Sequence, residues 1–433
     1  MVLKFRLSAF IALLITSIFV GILAGMPLSS ISQSIQDGMG GTLGFVATIV
    51  GLGAIFGQLL ESPGGARSLA HFLLGKFGKG KASWALTVTG FIVGIPIFLD
   101  VGFIILIPMV YALTRDSGKS ILFYAIPLLA GLAVGHSMIP PTPGPIAVAE
   151  ILDVDLGLVV MFGIITGIPC AILAGPLFGR FIAGKIYIPA PPEISEISSD
   201  SKSPEVLPPF GMIAAIISTP LLLIVMSTFI KLGTEKGVIG STLFTDILTF
   251  IGHPFTALII ATLLAIMLCL KRKMPGQTIL DLSTKALGTA GIIILVTGAG
   301  GVLKQILVDS GIGVILAESI AGSSIPLILL AWTLSALVRI TQGSATVAMI
   351  TAAGIMAPIL PVMNLTQAHT ALIVIAIAAG ATILSHVNDS GFWIVNKYLG
   401  MSEKQTLQSW TVMETIIAVT GLLVTLLLSL IVQ

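Results

Sequence analysis

The apolar run from Ser83 to Leu113 contains a single charged residue, Asp100, and basic residues stand at both of its ends: Lys76, Lys79 and Lys81 before it, Arg115 and Lys119 after it. One bilayer crossing takes roughly 20 apolar residues, and Lys and Arg collect on the cytoplasmic side. A run too long for one crossing, with the same topological mark at each end, has to enter the membrane and turn back. The sequence therefore predicts a re-entrant helical hairpin over 83–114. Its tip falls in Phe98-Leu99-Asp100-Val101-Gly102-Phe103, with Gly102 as the turning point. Irregular backbone at membrane depth survives only where protein or a water-filled cavity covers it, so this tip lines a polar cavity. The competing reading is one long tilted helix with Asp100 buried and protonated; a second copy of the pattern later in the chain argues against it.

The rest of the chain agrees with a membrane setting. Of 433 residues, 56% are hydrophobic and 9% charged, where soluble domains carry about 25% charged residues. This is the composition of an all-α polytopic membrane protein. It leaves no segment that reads as a soluble catalytic domain and no basic patch for nucleic acid. Cys170 and Cys269 fall inside apolar runs, so no disulfide framework is implied. Lys4 and Arg6 ahead of the run Ala9–Leu23 resemble a signal peptide, but the next apolar run, from about residue 43, favours a retained first helix.

Loop charge then orders the spans. Residues 8–25 cross outward, the loop 26–42 carries Asp37 and no base, and 43–60 cross back. Residues 64–74 lie along the cytoplasmic interface, ahead of the hairpin. Residues 121–139 run outward to Pro140-Pro141-Thr142-Pro143-Gly144-Pro145, where no α-helix survives; 121–152 is a broken helix with an unwound centre. Residues 158–183 return to Arg180 and Lys185, and 184–208, rich in Pro, Ser and Glu, form a cytoplasmic linker. Residues 209–249 supply a connecting span and an outer loop, and 254–270 come back to Lys271-Arg272-Lys273. After an outward span over 289–308, a second hairpin covers 325–363, broken at Arg339–Ser344. Its flanks, 322–324 and 364–369, hold no Lys or Arg, so it enters from outside. A second broken helix, 370–398, is interrupted over Ser385–Gly391, and 410–431 is the last span, ending outside.

Residues 53–64 match 300–311 at an offset of 300 − 53 = 247, and the same offset pairs Gly144 with Gly391. Residues 1–183 and 250–433 thus read as two repeats that enter the membrane from opposite sides. Inverted-topology repeats with discontinuous helices mark secondary transporters, with the substrate held where the breaks meet.

The breaks themselves resemble a known family. Phe98–Phe103, the run His136–Pro145 (HSMIPPTPGP), Thr341–Thr346 (TQGSAT) and Ser385–Phe392 (SHVNDSGF) are similar to the GntP family of gluconate and sugar-acid permeases, within the wider ion-transporter superfamily. The resemblance implies proton-coupled uptake of gluconate or a related small hydroxy-carboxylate across a bacterial inner membrane, by a homodimeric, elevator-type transporter. D-serine or another small carboxylate is the alternative substrate within the same family.

Four unwound segments converging in a bilayer supply helix N-termini for a carboxylate and mixed donors and acceptors for a polyol chain. The candidates for substrate contact are Thr142, Thr341, Gln342, Ser344, Ser385, His386, Asn388 and Ser390, with Gly102, Gly144 and Gly343 allowing close backbone approach. The plainer roles for these residues are helix capping and helix packing. Ionisable groups inside a membrane are functional candidates by default; here they are Asp100, Arg339, Asp389 and His136. Arg339 reads either as a partner for the substrate carboxylate or as half of a structural ion pair. Asp100, His136 and Asp389 are candidates for substrate contact as well; Asp100 is the leading proton carrier with Asp389 and His136 as further candidates, and the plainer roles are helix capping for Asp389 and a bond to backbone carbonyls for His136. No metal-ligand spacing and no cofactor motif is present. An intramembrane hydrolase using His136 with Asp100 or Asp389 lacks a nucleophile motif, and a passive channel would not call for two opposed hairpins.

Overall fold

A computed structural model describes residues 7–191, 207–321 and 325–432. Most of the 184–208 linker and the flank 322–324 lie outside the described residues. Those described are helical throughout and joined by short turns. Seven stretches among them are long and apolar enough to cross a membrane.

The first elements are α1 (Ala9–Leu23) and α2 (Leu28–Glu61). The loop expected over 26–42 is instead the first half of α2, which runs unbroken for 34 residues. Its partner explains this. α2 packs along α13 (Gly276–Asp309), also 34 residues long. Ile31 clusters with Val302 and Ile306. A Cβ on Gly38 would meet Gly301 and Val302, and one on Gly51 would meet Leu287. Residue numbers rise on one helix as they fall on the other, so the pair is antiparallel. Ser34 Oγ donates to Asp309 Oδ2 at 2.6 Å near one end. A polar, glycine-rich segment is helical here because a partner helix accepts its small face.

Next come α3 (Gly65–Phe77), α4 (Ala82–Gly94) and α5 (Leu99–Ser117). The turn between α4 and α5 is Ile95–Phe98, not Gly102. Pro96 lacks an N–H and fits a turn between two helices, whereas Gly102 is buried within α5, where a Cβ would meet Leu132 at 2.9 Å. Its smallness serves packing on α6 (Leu122–Met138). After a non-helical stretch, α7 (Pro143–Ile151) begins on Pro143, a residue suited to a first helical turn. α8 (Leu156–Ile172) continues through a π-helical turn, Leu173–Leu177, into α9 (Phe178–Lys185).

Beyond the linker lie α10 (Phe210–Glu235), α11 (Leu243–Ile251) and α12 (Pro254–Lys271). α11 occupies part of the expected outer loop; a Thr242–Thr245 capping box starts it. After α13 come α14 (Ile312–Ala321), α15 (Leu327–Gln342), α16 (Ala345–Met356), α17 (Gln367–Gly380) and α18 (Ser390–Leu399). The chain closes with α19 (Glu403–Thr406), a π-helical turn Leu407–Thr411, and α20 (Val412–Ser429).

Adding 247 to the bounds of α2 gives 275–308, beside Gly276–Asp309 for α13. For α4 it gives 329–341, beside Leu327–Gln342, and for α7, 390–398, beside Ser390–Leu399. The most buried helices, α6 and α17, sit at the centre, with every residue of α17 from Thr370 to Gly380 buried. Both end where the chain unwinds.

Candidate functional site

Four interruptions bring the polar chemistry together: Ile95–Phe98 between α4 and α5, Ile139–Thr142 between α6 and α7, Gly343–Ser344 between α15 and α16, and Ala381–Asp389 between α17 and α18. The third is set by one residue. Gly343 has φ +80°, and a Cβ on it would collide with the backbone of Asn388. Only glycine is free of both penalties, and its N–H closes α15 on the Arg339 carbonyl at 2.8 Å.

A cavity of about 450 Å³ opens between three of these breaks, within the 300–1,000 Å³ usual for small-molecule sites. Asp100, His136, Arg339, Gln342, Gly343, Ser344, Asn388, Asp389 and Ser390 all line it. So do Ser137, Thr346, Thr382, Trp410 and Glu414. Three helix N-termini reach its wall: α5 at Leu99 and Asp100, α16 at Ser344–Thr346, and α18 at Asp389–Gly391. The first N–H groups of a helix lack intrahelical partners and carry the positive end of its dipole.

Arg339 is buried, 4% exposed, and both terminal nitrogens of its guanidinium are engaged. One terminal nitrogen donates to the Gly343 carbonyl, and the other reaches Asp389 Oδ2 at 2.5 Å. The Arg339 Nε has no partner. Asp389 is held from three sides. Its Oδ2 also accepts from Ser385 Oγ at 2.5 Å, and its Oδ1 accepts from the Gly391 N–H at 3.0 Å, capping α18. Ser385 in turn accepts from Trp410 Nε1 at 2.6 Å, and its carbonyl accepts from Thr411 Oγ1. This chain of bonds ties the fourth break to the π-helical turn ahead of α20, a local feature often found at functional sites. Asn388 Nδ2 donates to the Ile340 carbonyl at 2.9 Å, and His386 Nε2 lies 3.0 Å from the same oxygen. The Asn388 Oδ1 stays unpartnered.

The remaining residues singled out in the sequence lie off the cavity wall. Thr142 Oγ1 donates to the Ile139 carbonyl at 2.7 Å. Gly144 gives room for Met349 of α16, whose Sδ would stand 2.6 Å from a Cβ there. Thr341 Oγ1 returns to the carbonyls of its own helix at 2.9 and 3.0 Å. Ser385 and His386 stand one layer behind Asp389 and Asn388, and Gly102 is inside α5. On the wall, His136 lies beside Phe98, ring centres 5.5 Å apart, with a buried and unpartnered Nδ1. Asp100 is exposed to the cavity's opening.

Glu414 and Trp410 were missed by the sequence reading. Glu414 is 3% exposed in the first turn of α20. An acid inside an otherwise apolar span is itself the signal that would have found it. A larger groove of about 730 Å³ lies between α10, α11 and α12. It has no helix break in its wall, and the nearby Leu243, Phe244 and Phe250 are strongly exposed, as on a surface facing lipid or protein.

The comparisons with known proteins follow the same lines. The family described as GntP family permease matches residues 1–431. A gluconate permease of Pseudomonas aeruginosa is 40% identical over 431 residues, covering 99% of this chain and 94% of that protein. A low-affinity gluconate transporter of Escherichia coli K12 is 39% identical, covering 98% and 94%. Among solved structures, the YdaH transporter of Alcanivorax borkumensis superposes with a TM-score of 0.66 at 11% identity, covering 96% of each chain; it shows a shared fold.

Proposed function

Because this chain belongs to the GntP family of permeases, and is a multi-pass membrane transporter rather than an enzyme, we propose that it takes up gluconate, or a closely related small hydroxy-carboxylate, together with a proton. The observation that carries this reading is the cavity wall. Three helix N-termini and the Arg339 guanidinium converge there with Gln342, Ser344, Asn388 and Ser390. The first set suits a carboxylate, and the second suits a row of hydroxyls. Relatives named as gluconate carriers support the same substrate class.

The proposed working unit is two inverted repeats that expose the cavity alternately by an elevator-like movement. Matching helix bounds at an offset of 247 support it. So does the contact of Cys170 Sγ with the carbonyl of Ile417, 3.6 Å apart: residue 417 is 170 + 247, so two equivalent positions meet, as they do next to a two-fold axis. The assembly reads as a homodimer in the bilayer, for which the exposed apolar face of α11 is a suitable surface.

The test is uptake of labelled gluconate into proteoliposomes with an inward proton gradient, with unlabelled sugar acids and D-serine as competitors. Gradient-dependent accumulation blocked by sugar acids is expected. Accumulation of labelled D-serine but not of gluconate in a parallel assay would reassign the substrate, and accumulation of neither would overturn the reading.

A further inference from the structure

We infer that Glu414, rather than Asp100 or Asp389, binds the coupled proton; this rests on the proton-coupled reading above. Glu414 lines the cavity yet is almost wholly buried. Its own backbone carbonyl is tied to Thr382 Oγ1 at 3.4 Å, in the fourth break, so its position follows that segment. Among the described residues no hydrogen bond reaches its carboxyl. The charged groups that face it are the Arg339 guanidinium and the Asp389 carboxylate, and Asp100 and His136 stand on the same cavity wall.

The other acids are committed or open. Asp389 accepts three hydrogen bonds and closes an ion pair with Arg339. Protonating it would weaken the cap of α18 and strand a buried guanidinium. Asp100 is exposed, so its charge is partly answered by water. Glu414 has no bond donor among the described residues and little exposure, and it shares one cation with Asp389. The position at the 247 offset in the first half is Gly167, so the acid belongs to one half only, as a function would and a symmetric packing role would not.

The coupling follows from charge. A substrate carboxylate that enters beside Arg339 adds a negative charge next to Glu414 and draws on the same guanidinium. A proton on Glu414 removes its negative charge. Each binding event therefore favours the other, and the coupling is reciprocal. The proton leaves when the carboxylate leaves. One proton with one monoanion moves no net charge, so a gradient of one pH unit sets about a tenfold accumulation.

The experiment uses the full-length protein in proteoliposomes with labelled gluconate. Wild type is expected to accumulate gluconate about tenfold per pH unit of gradient and to bind it more tightly as pH falls. Glu414→Gln is expected to lose gradient-driven accumulation and to give gluconate binding that no longer varies with pH. Glu414→Asp is expected to accumulate gluconate with a displaced pH profile. Wild type that does not respond to the proton gradient defeats the proton-coupled reading itself. Wild type that responds, with Glu414→Gln accumulating normally and keeping the wild-type pH profile, defeats only the assignment to Glu414. If Glu414→Gln does not fold, a Glu414→Asp profile that superimposes on wild type defeats the assignment equally.

Discussion

Consider replacing Arg339 by Gln. The side chain is 5% exposed, and its partner Asp389 is 13% exposed, with 2.5 Å between the charged atoms. Removing one member of a buried pair leaves the other charged and uncompensated, at a cost of about 3–5 kcal/mol. The lower end applies here, because Asp389 keeps the Ser385 hydroxyl and the Gly391 N–H as donors. Asp389→Asn leaves the guanidinium without its partner charge, with the Gly343 carbonyl and a neutral amide oxygen as acceptors, and costs a similar amount. The double variant, Arg339→Gln with Asp389→Asn, removes both charges of this pair, so the two losses fall short of adding by roughly 2 kcal/mol. Cys170 and Cys269 are free and buried, so a thiol-reactive dye reports unfolding of the protein in detergent without further engineering. The double variant is expected to unfold at a higher temperature than Arg339→Gln alone, yet not to recover gluconate binding. Arg339→Lys is expected to restore little, since an ammonium cannot span Gly343 and Asp389 in the plane that a guanidinium does. A double variant less stable than both single ones would refute the ion-pair reasoning. Normal gluconate affinity in Arg339→Gln would remove the guanidinium from the site.

Two further outcomes are expected. Gly343→Ala forces a Cβ against Asn388 at a φ of +80°, so it costs about 1 kcal/mol or more in backbone strain alone and displaces Asn388; transport is expected to fail while the protein still reaches the membrane, and full activity would show that the third break is not rigid. For topology, Val362→Cys is expected to react with an impermeant thiol reagent from outside only, and Gly276→Cys, at a position open to substitution, from inside only; the reverse pattern would invert the assignment drawn from loop charge.

Much of the fold was legible because breaks announce themselves. Four prolines in six residues cannot continue a helix, though the last three of the six open α7, and Arg339–Ser344 and Ser385–Gly391 interrupt apolar runs with residues that bilayers exclude. What was illegible depended on partners. The helical state of 28–42 is decided by α13, whose Gly301 and Val302 accept the bare face at Gly38. Gly102 looked like a turn because it is small beside a charge, but the requirement is close packing against Leu132, while Pro96 holds the turn. In the site, side chains on the breaks were easy to nominate. Sequence could not say that Ser385 faces Asp389 and Trp410, or that Thr341 bonds its own helix, because direction around an unwound backbone has no period to read. Glu414 was lost for the opposite reason: it lies in an unbroken helix, where attention to interruptions does not reach.

The antiparallel pair α2 and α13 has a consequence for the surrounding lipid. At 34 residues each and 1.5 Å per residue, these rods are about 51 Å long, against about 30 Å of hydrocarbon. Contacts from Ser34–Asp309 to Gly51–Leu287 fasten them together over much of that length, so neither can kink to shorten. The surplus has to be met by leaning, or by letting the polar first turns around Ser30 and Gln277 stand among the headgroups on opposite faces. Each ångström of mismatch costs a fraction of a kcal/mol. Thickness thus becomes a mechanical input to this protein: a thinner bilayer tips the shaft and alters the angle at which everything packed on it meets the two aqueous sides.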